Sequence, residues 1–164
     1  MCRGASAAEK ATAAPMTEYP ERPVIGVGGV LIHDGRALLV RRAAEPLRGQ
    51  WSIPGGRLEL GETLAEGVAR ELKEETGVDV RVGELIEVFE RIWNEEEGVA
   101  RPRFHFVIAD YLCEHVSGEP QAGSDALEVA YASEAELGKF QLSETAMRVL
   151  HKAFEMDRAR GKAR

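Results

Sequence analysis

The chain has 164 residues, 44% of them hydrophobic, and a formal net charge of -7. That length and apolar share suit one globular domain with its own core. The acidic balance argues against nucleic-acid polymers and membrane surfaces as partners, since both select basic patches.

Residues 1–22 are rich in Ala, Glu, Thr and Pro without apolar periodicity. They read as a mobile tail, with Met1 and Met16 both open as the start. Two cysteines, Cys2 in this tail and Cys113 in a strand-like run, give neither a disulfide framework nor metal-ligand spacing. Reduced thiols and a cytoplasmic setting are expected. No apolar run approaches the ~20 residues of a membrane span, and the N-terminus lacks the apolar core of a signal peptide.

The domain is expected over residues 23–158. Val24 to Ile32 (VIGVGGVLI) predicts a buried strand, Asp34-Gly35 a hairpin turn, and Ala37 to Arg42 the returning strand. Arg41 and Arg42 fall on opposite faces there, so at most one points into a site. Glu45 to Gly56 reads as a loop anchored by Trp51 and Ile53. A helix follows, with Thr63 and Glu66 as a capping box and Gly77 just past its end. Val78 to Arg91 predicts one or two strands bent at Gly83, and Trp93 to Pro102 a polar loop. Arg103 to Cys113 predicts a strand whose Phe104, Phe106, Ile108 and Leu112 share a face that Asp110 interrupts. Ser117 to Ser124 reads as a loop, Leu127 to Ala132 as a short strand, and Ser143 to about Arg158 as an amphipathic helix. Residues 159–164 read as a frayed basic tail.

The first helix carries the chemistry. Leu64, Val68 and Leu72 form its apolar stripe, and Glu71, Glu74 and Glu75 lie at i, i+3 and i+4 beside it. Three carboxylates so close repel one another unless a cation sits against them. Mg²⁺ is the natural partner, since it binds through a few carboxylates plus substrate phosphates. Gly67 is expected to leave room beside these carboxylates, and Arg70 to reach Glu66 or Glu74.

The run from Gly56 resembles the Nudix box without departure. It reads Gly56, five residues, Glu62, seven residues, Arg70-Glu71-Leu72, Lys73, Glu74-Glu75, Thr76, Gly77-Val78, nine specified positions at fixed spacing. The resemblance implies an α+β fold, an α/β/α sandwich with a mixed β-sheet between helices. It implies hydrolysis of a phosphoanhydride bond in a nucleoside diphosphate derivative with Mg²⁺ (or Mn²⁺) and water. By motif match Glu71, Glu74 and Glu75 would be metal ligands, Arg70 and Glu62 an ion pair supporting the box, and Gly56 and Gly77 structural. The general base would be a box glutamate or a later acid, here Asp125 or Glu128. The resemblance also implies homodimerisation as a common assembly.

The implied substrate is of ADP-ribose or nucleotide-sugar type, with a house-cleaning nucleoside triphosphate pyrophosphohydrolase as the alternative. A non-catalytic nucleotide-binding domain is more distant, because no box carboxylate is missing. Prenyl diphosphate isomerisation would want a catalytic cysteine, and only Cys113 is internal. The position fifteen residues past the box, where ADP-ribose pyrophosphatases tend to carry proline, holds Trp93. His33, His105, His115, His151 and the run Glu95 to Glu97 read as structural or solvated.

Overall fold

The computed structural model describes residues 18–162 apart from 46, 96, 97, 99 and 124. The expected tail therefore lies outside the described residues up to position 17, as do Glu96 and Glu97. At its end the chain is already held. The Tyr19 N–H donates to the Arg103 carbonyl at 2.7 Å, and Glu18 pairs with Arg103 at 2.7 Å.

Alternation of apolar residues builds a mixed sheet with a core on each face. Strand β1 (Val24–His33) turns through Asp34-Gly35 into β2 (Arg36–Arg42). Strand β6 (Phe104–Ser117) runs parallel to β1, and β5 (Asp79–Trp93) pairs antiparallel with β6. Strand β7 (Ala126–Ser133) pairs antiparallel with β2. Val30, Ile32 and Leu39 face helix α2 (Glu144–Lys162), where Val149, Leu150 and Phe154 cover them. Their neighbours Leu31 and Leu38, with Val27, face helix α1 (Leu64–Thr76) and pack on Val68 and Leu72. The helices thus lie on opposite faces of one mixed sheet, the expected α/β/α arrangement. Among the described residues no helix is long and apolar enough to cross a membrane.

Helix α1 starts and stops as its sequence dictates. The Glu66 N–H donates to the Thr63 hydroxyl at 3.2 Å, and the Thr63 N–H donates to the Glu66 carboxylate at 2.8 Å. Gly77 closes the helix at φ 73°, a left-handed conformation that glycine adopts without a Cβ penalty. Thr63→Ala should lower stability by about 1 kcal/mol in urea unfolding, the usual worth of such a cap.

Three differences from the sequence reading have physical causes. The expected loop from Glu45 to Gly56 contains two short strands, β3 (Trp51–Ser52) and β4 (Gly55–Arg57). Strand β4 pairs antiparallel with β1, setting Gly55 opposite Gly28 and Gly56 opposite Val27, a contact too close for side-chain periodicity to announce. Gly67 gives room to packing rather than to the acidic triad, since a Cβ there would lie 2.8 Å from Leu58 and 3.2 Å from Val27. Helix α2 continues through Lys162, past the frayed tail expected from 159. Arg160 pairs with Glu84 at 3.1 Å and with Glu114 at 3.4 Å, which ties the last turn to β5 and β6.

Candidate active site

The acidic side of α1 abuts the point where β4 pairs with β1. Glu75 is 7% exposed, and its carboxylate accepts the Gly55 N–H at 3.0 Å. Burial pushes this carboxyl up to about 8, against the pull of the Gly55 N–H and with added repulsion from Glu71. Glu71 lies against Gly56, where a Cβ would come within 2.5 Å of its carboxyl carbon. Only glycine admits the Glu71 carboxylate there. Burial raises the pKa of Glu71 as well, opposed by hydrogen bonding from Arg70.

Arg70 organises the surrounding loop. Its Nε and Nη2 donate to the two oxygens of Glu62 at 2.5 and 3.0 Å, a fork-to-fork pair. It also donates to Glu71 at 2.8 Å, to the Arg57 carbonyl at 2.9 Å and, more weakly, to Glu74 at 3.3 Å. The expected Glu62–Arg70 ion pair is present. Arg70 reaches Glu74 rather than Glu66, because Glu66 is engaged at the N-cap.

The structure brings the expected metal ligands together only in part. Glu71 and Glu75 converge beside Gly55 and Gly56, while the Glu74 side chain is 51% exposed and leans to Arg70. Among the described residues no three Asp, Glu, His or Cys side chains form a ready metal cage. The donor chemistry nonetheless fits a hard divalent cation. Two carboxylates with raised pKa values, Glu75 buried and Glu71 partly buried, call for added positive charge to stay ionised, and oxygen donors suit Mg²⁺ or Mn²⁺.

The two later acids separate. The loop after β6 folds over the end of α1, with the Gln121 N–H donating to the Thr76 carbonyl at 3.0 Å and the Gly123 N–H to the Glu75 carbonyl at 2.8 Å. This places Asp125 where its charge acts on both Glu71 and Glu75. Glu128 instead stands opposite Arg41 in the β2–β7 ladder and pairs with it at 2.8 Å. Of the two arginines ending β2, Arg42 is the one that lines the site. Its Nε is buried without a hydrogen-bond partner among the described residues.

A cleft opens beside Gly55 and Gly56, with an empty volume of about 820 Å³ that includes the solvent at its mouth. Phe106, Ile108 and Asp110 of β6 and Phe89, Arg91 and Trp93 of β5 line it, opposite Trp51 and the start of α2. Trp93 packs edge-on against Phe104 and Phe106, and the Arg91 guanidinium sits 5.5 Å from its ring centroid. His105 alternates to the other face of β6. Arg91 carries no local signal in the sequence, and Asp110 shows there only as a lone acid interrupting an apolar strand face.

Asp110 is 4% exposed, and burial pushes its carboxyl up to about 7 despite the nearby Arg91 charge. The native state thus holds a proton that the unfolded chain releases near pH 4. The resulting stability is fully present below that value and is lost as pH rises through about 7. Asp110→Asn should remove this slope. At pH 8 the variant should be more stable than wild type by up to roughly 4 kcal/mol, three pKa units at 1.36 kcal/mol each. Urea unfolding of both proteins from pH 4 to 8 checks it.

The fold joins a mixed-sheet sandwich to a carboxylate-bearing helix beside a cleft lined by Arg42 and Arg91. A family model of the NUDIX domain matches residues 22–154. The chain belongs to the Nudix hydrolase family. It is 35% identical over 109 residues to an ADP-ribose pyrophosphatase of Methanocaldococcus jannaschii, covering 66% of this chain and 61% of that protein. The chain thus spans about three fifths of that relative's length. It is also 35% identical over 134 residues to a MutT-like protein of Streptomyces ambofaciens, 82% of this chain and 79% of that one. The crystal structure of a MutT NUDIX hydrolase from Burkholderia pseudomallei superposes with a TM-score of 0.69 at 28% identity, covering 80% of this chain and 98% of that one. Members of the family generally use divalent metal ions and act on small nucleotide derivatives.

Proposed function

We propose that this protein hydrolyses a phosphoanhydride bond in a nucleoside diphosphate derivative, with Mg²⁺ or Mn²⁺ held at Glu71 and Glu75 and with Glu74 completing the set. The observation that carries this is the convergence of buried Glu75 and partly buried Glu71 on Gly55 and Gly56, beside a cleft lined by Arg42 and Arg91. A bound divalent cation neutralises phosphate oxygens and eases deprotonation of water. The chain does the rest. Arg42 offers a donor to an anionic oxygen, and Arg70 and Glu62 fix the loop that carries Gly56 against the helix. The aromatic wall of Phe106 and Trp93 shelters the ligand's non-phosphate part. The proton acceptor is a box glutamate or Asp125. Glu128 leaves that set because Arg41 holds it.

An ADP-ribose-type substrate is the first reading, supported by the name of the archaeal relative. Nucleoside triphosphates are the second, supported by the MutT-like relative, which matches more of both chains. The test is a screen of nucleoside diphosphate derivatives and nucleoside triphosphates with and without Mg²⁺ or Mn²⁺. AMP plus ribose 5-phosphate identifies the first class. A nucleoside monophosphate plus pyrophosphate identifies the second. Absence of turnover for every compound would overturn the proposal.

A further inference from the structure

The cleft contains a carboxyl group that phosphoanhydride hydrolysis does not require. Asp110 lines the cleft, nearly buried, and its oxygens are open to it, since among the described residues Arg42 Nε alone is a fully enclosed side-chain polar atom without a hydrogen-bond partner. It is not there to fill space. Its oxygen presses on β1 so closely that a Cβ at Gly28 would lie 2.2 Å away, and glycine at that position is what admits it. A carboxyl this nearly buried carries a desolvation cost, and a position with no ligand to meet would hold an apolar residue like its neighbours Ile108 and Leu112.

The strand order says how far the carboxyl lies from the platform. Glu75 is bonded to Gly55 of β4, Gly55 pairs with Gly28 of β1, and Gly28 pairs with Asp110 of β6. Two inter-strand spacings, about 10 Å, therefore separate Asp110 from the backbone that anchors the carboxylate platform. Arg91 stands on β5, on the other side of β6, and its charge acts on Asp110. A ligand whose phosphate meets the platform has its non-phosphate moiety within reach of Asp110, where a hydrogen-bond donor is the complementary group.

We propose that Asp110 is a specificity-determining residue that accepts a hydrogen bond from an N–H or hydroxyl donor on the substrate's non-phosphate moiety. This rests on the hydrolase reading above and deepens it. Such a contact discriminates strongly, because an analogue without the donor leaves a buried carboxyl unpaired. Two sources offer the donor, a sugar hydroxyl or a base N–H, and both fit beside the Phe106 and Trp93 rings.

The test compares wild type with Asp110→Leu, which keeps approximate shape and loses the acceptor, and Asp110→Asn, which keeps one acceptor oxygen. Removing a buried charge should not impair folding, and thermal melts establish that both variants fold. With ADP-ribose, GTP and ITP as substrates, Asp110→Leu should raise KM at least tenfold for the compound that is turned over, with kcat within threefold. Asp110→Asn should recover part of the loss. A binding penalty for ADP-ribose that ADP does not share assigns a hydroxyl of the terminal ribose, whereas a preference for GTP over ITP that the variant abolishes assigns a base N–H. Calorimetric titration of the same compounds into the metal-chelated proteins reads the contact without turnover, and Asp110→Leu should weaken binding tenfold there too. If wild type turns over no compound but the binding loss persists, the hydrolase reading fails and this one stands. KM and binding within twofold of wild type in folded Asp110→Leu would overturn it.

Discussion

Glu75→Gln is expected to lower turnover by about 10²–10³-fold, the usual cost of one essential charge-stabilising group. The same change is expected to stabilise the metal-free protein. The two effects have one cause. Glu75 is buried and pays desolvation whenever it is ionised, so its carboxyl is pushed up to about 8. Between the unfolded value near 4.5 and about 8, the folded protein holds a proton that the unfolded chain lacks, and stability falls as pH rises through that window. Glutamine keeps an oxygen for the Gly55 N–H and removes the charge. At pH 7 with the metal chelated, the variant should gain roughly 3 kcal/mol, since the native-state proton is worth 1.36 kcal/mol per pH unit across the window. Activity assays and thermal melts on the same preparation read both signs. A variant as active as wild type contradicts the proposed role. A variant less stable than wild type contradicts the stated cost of the buried carboxylate.

Arg70→Ala is the second large effect, and here stability and activity should fall together. The guanidinium satisfies both oxygens of Glu62, one oxygen of Glu71 and the Arg57 carbonyl. Its side chain is 21% exposed, and those of Glu62 and Glu71 are 18% and 13% exposed. Removing it strands two largely buried carboxylates, which for a fully buried pair costs about 3–5 kcal/mol. Partial exposure here puts the expected loss nearer 2–3 kcal/mol, because solvent screens part of the charge. Lysine should not restore it, since a single ammonium cannot match the fork geometry that Glu62 receives. With the loop from Arg57 to Glu62 released, Gly56 no longer holds the Glu71 carboxylate in place, and turnover should fall at least tenfold. Urea unfolding and steady-state kinetics of Ala and Lys variants measure this.

Local signals along the chain gave much of this architecture. Thr63, Glu66 and Gly77 mark the ends of α1 by side-chain and backbone chemistry that acts within four residues. The near-continuous apolar run from Val24 to Ile32 marks a strand buried on both sides, and Phe104, Phe106, Ile108 and Leu112 mark one face of another. What was hidden depends on contacts between distant segments. Nothing local shows that Gly55 and Gly56 pair with β1, since a glycine strand has no side-chain period. The separation of Asp125 from Glu128 needs the register of β7 against β2, which assigns Glu128 to Arg41. The outward turn of Glu74 follows from Arg70, whose other partners lie eight and thirteen residues away. Asp110 looked like an interruption because its meaning comes from Gly28 and Arg91, on two neighbouring strands.

The central claim is that Glu71 and Glu75 hold the divalent cation on which hydrolysis depends. Crystals soaked in Mn²⁺ and measured at a wavelength where manganese scatters anomalously test it most directly. An anomalous peak is expected within ligand distance of the Glu71 and Glu75 carboxylates, lost in crystals of Glu75→Gln. Ordered Mn²⁺ elsewhere on the protein, with no peak at those two carboxylates under conditions that support turnover, would contradict it.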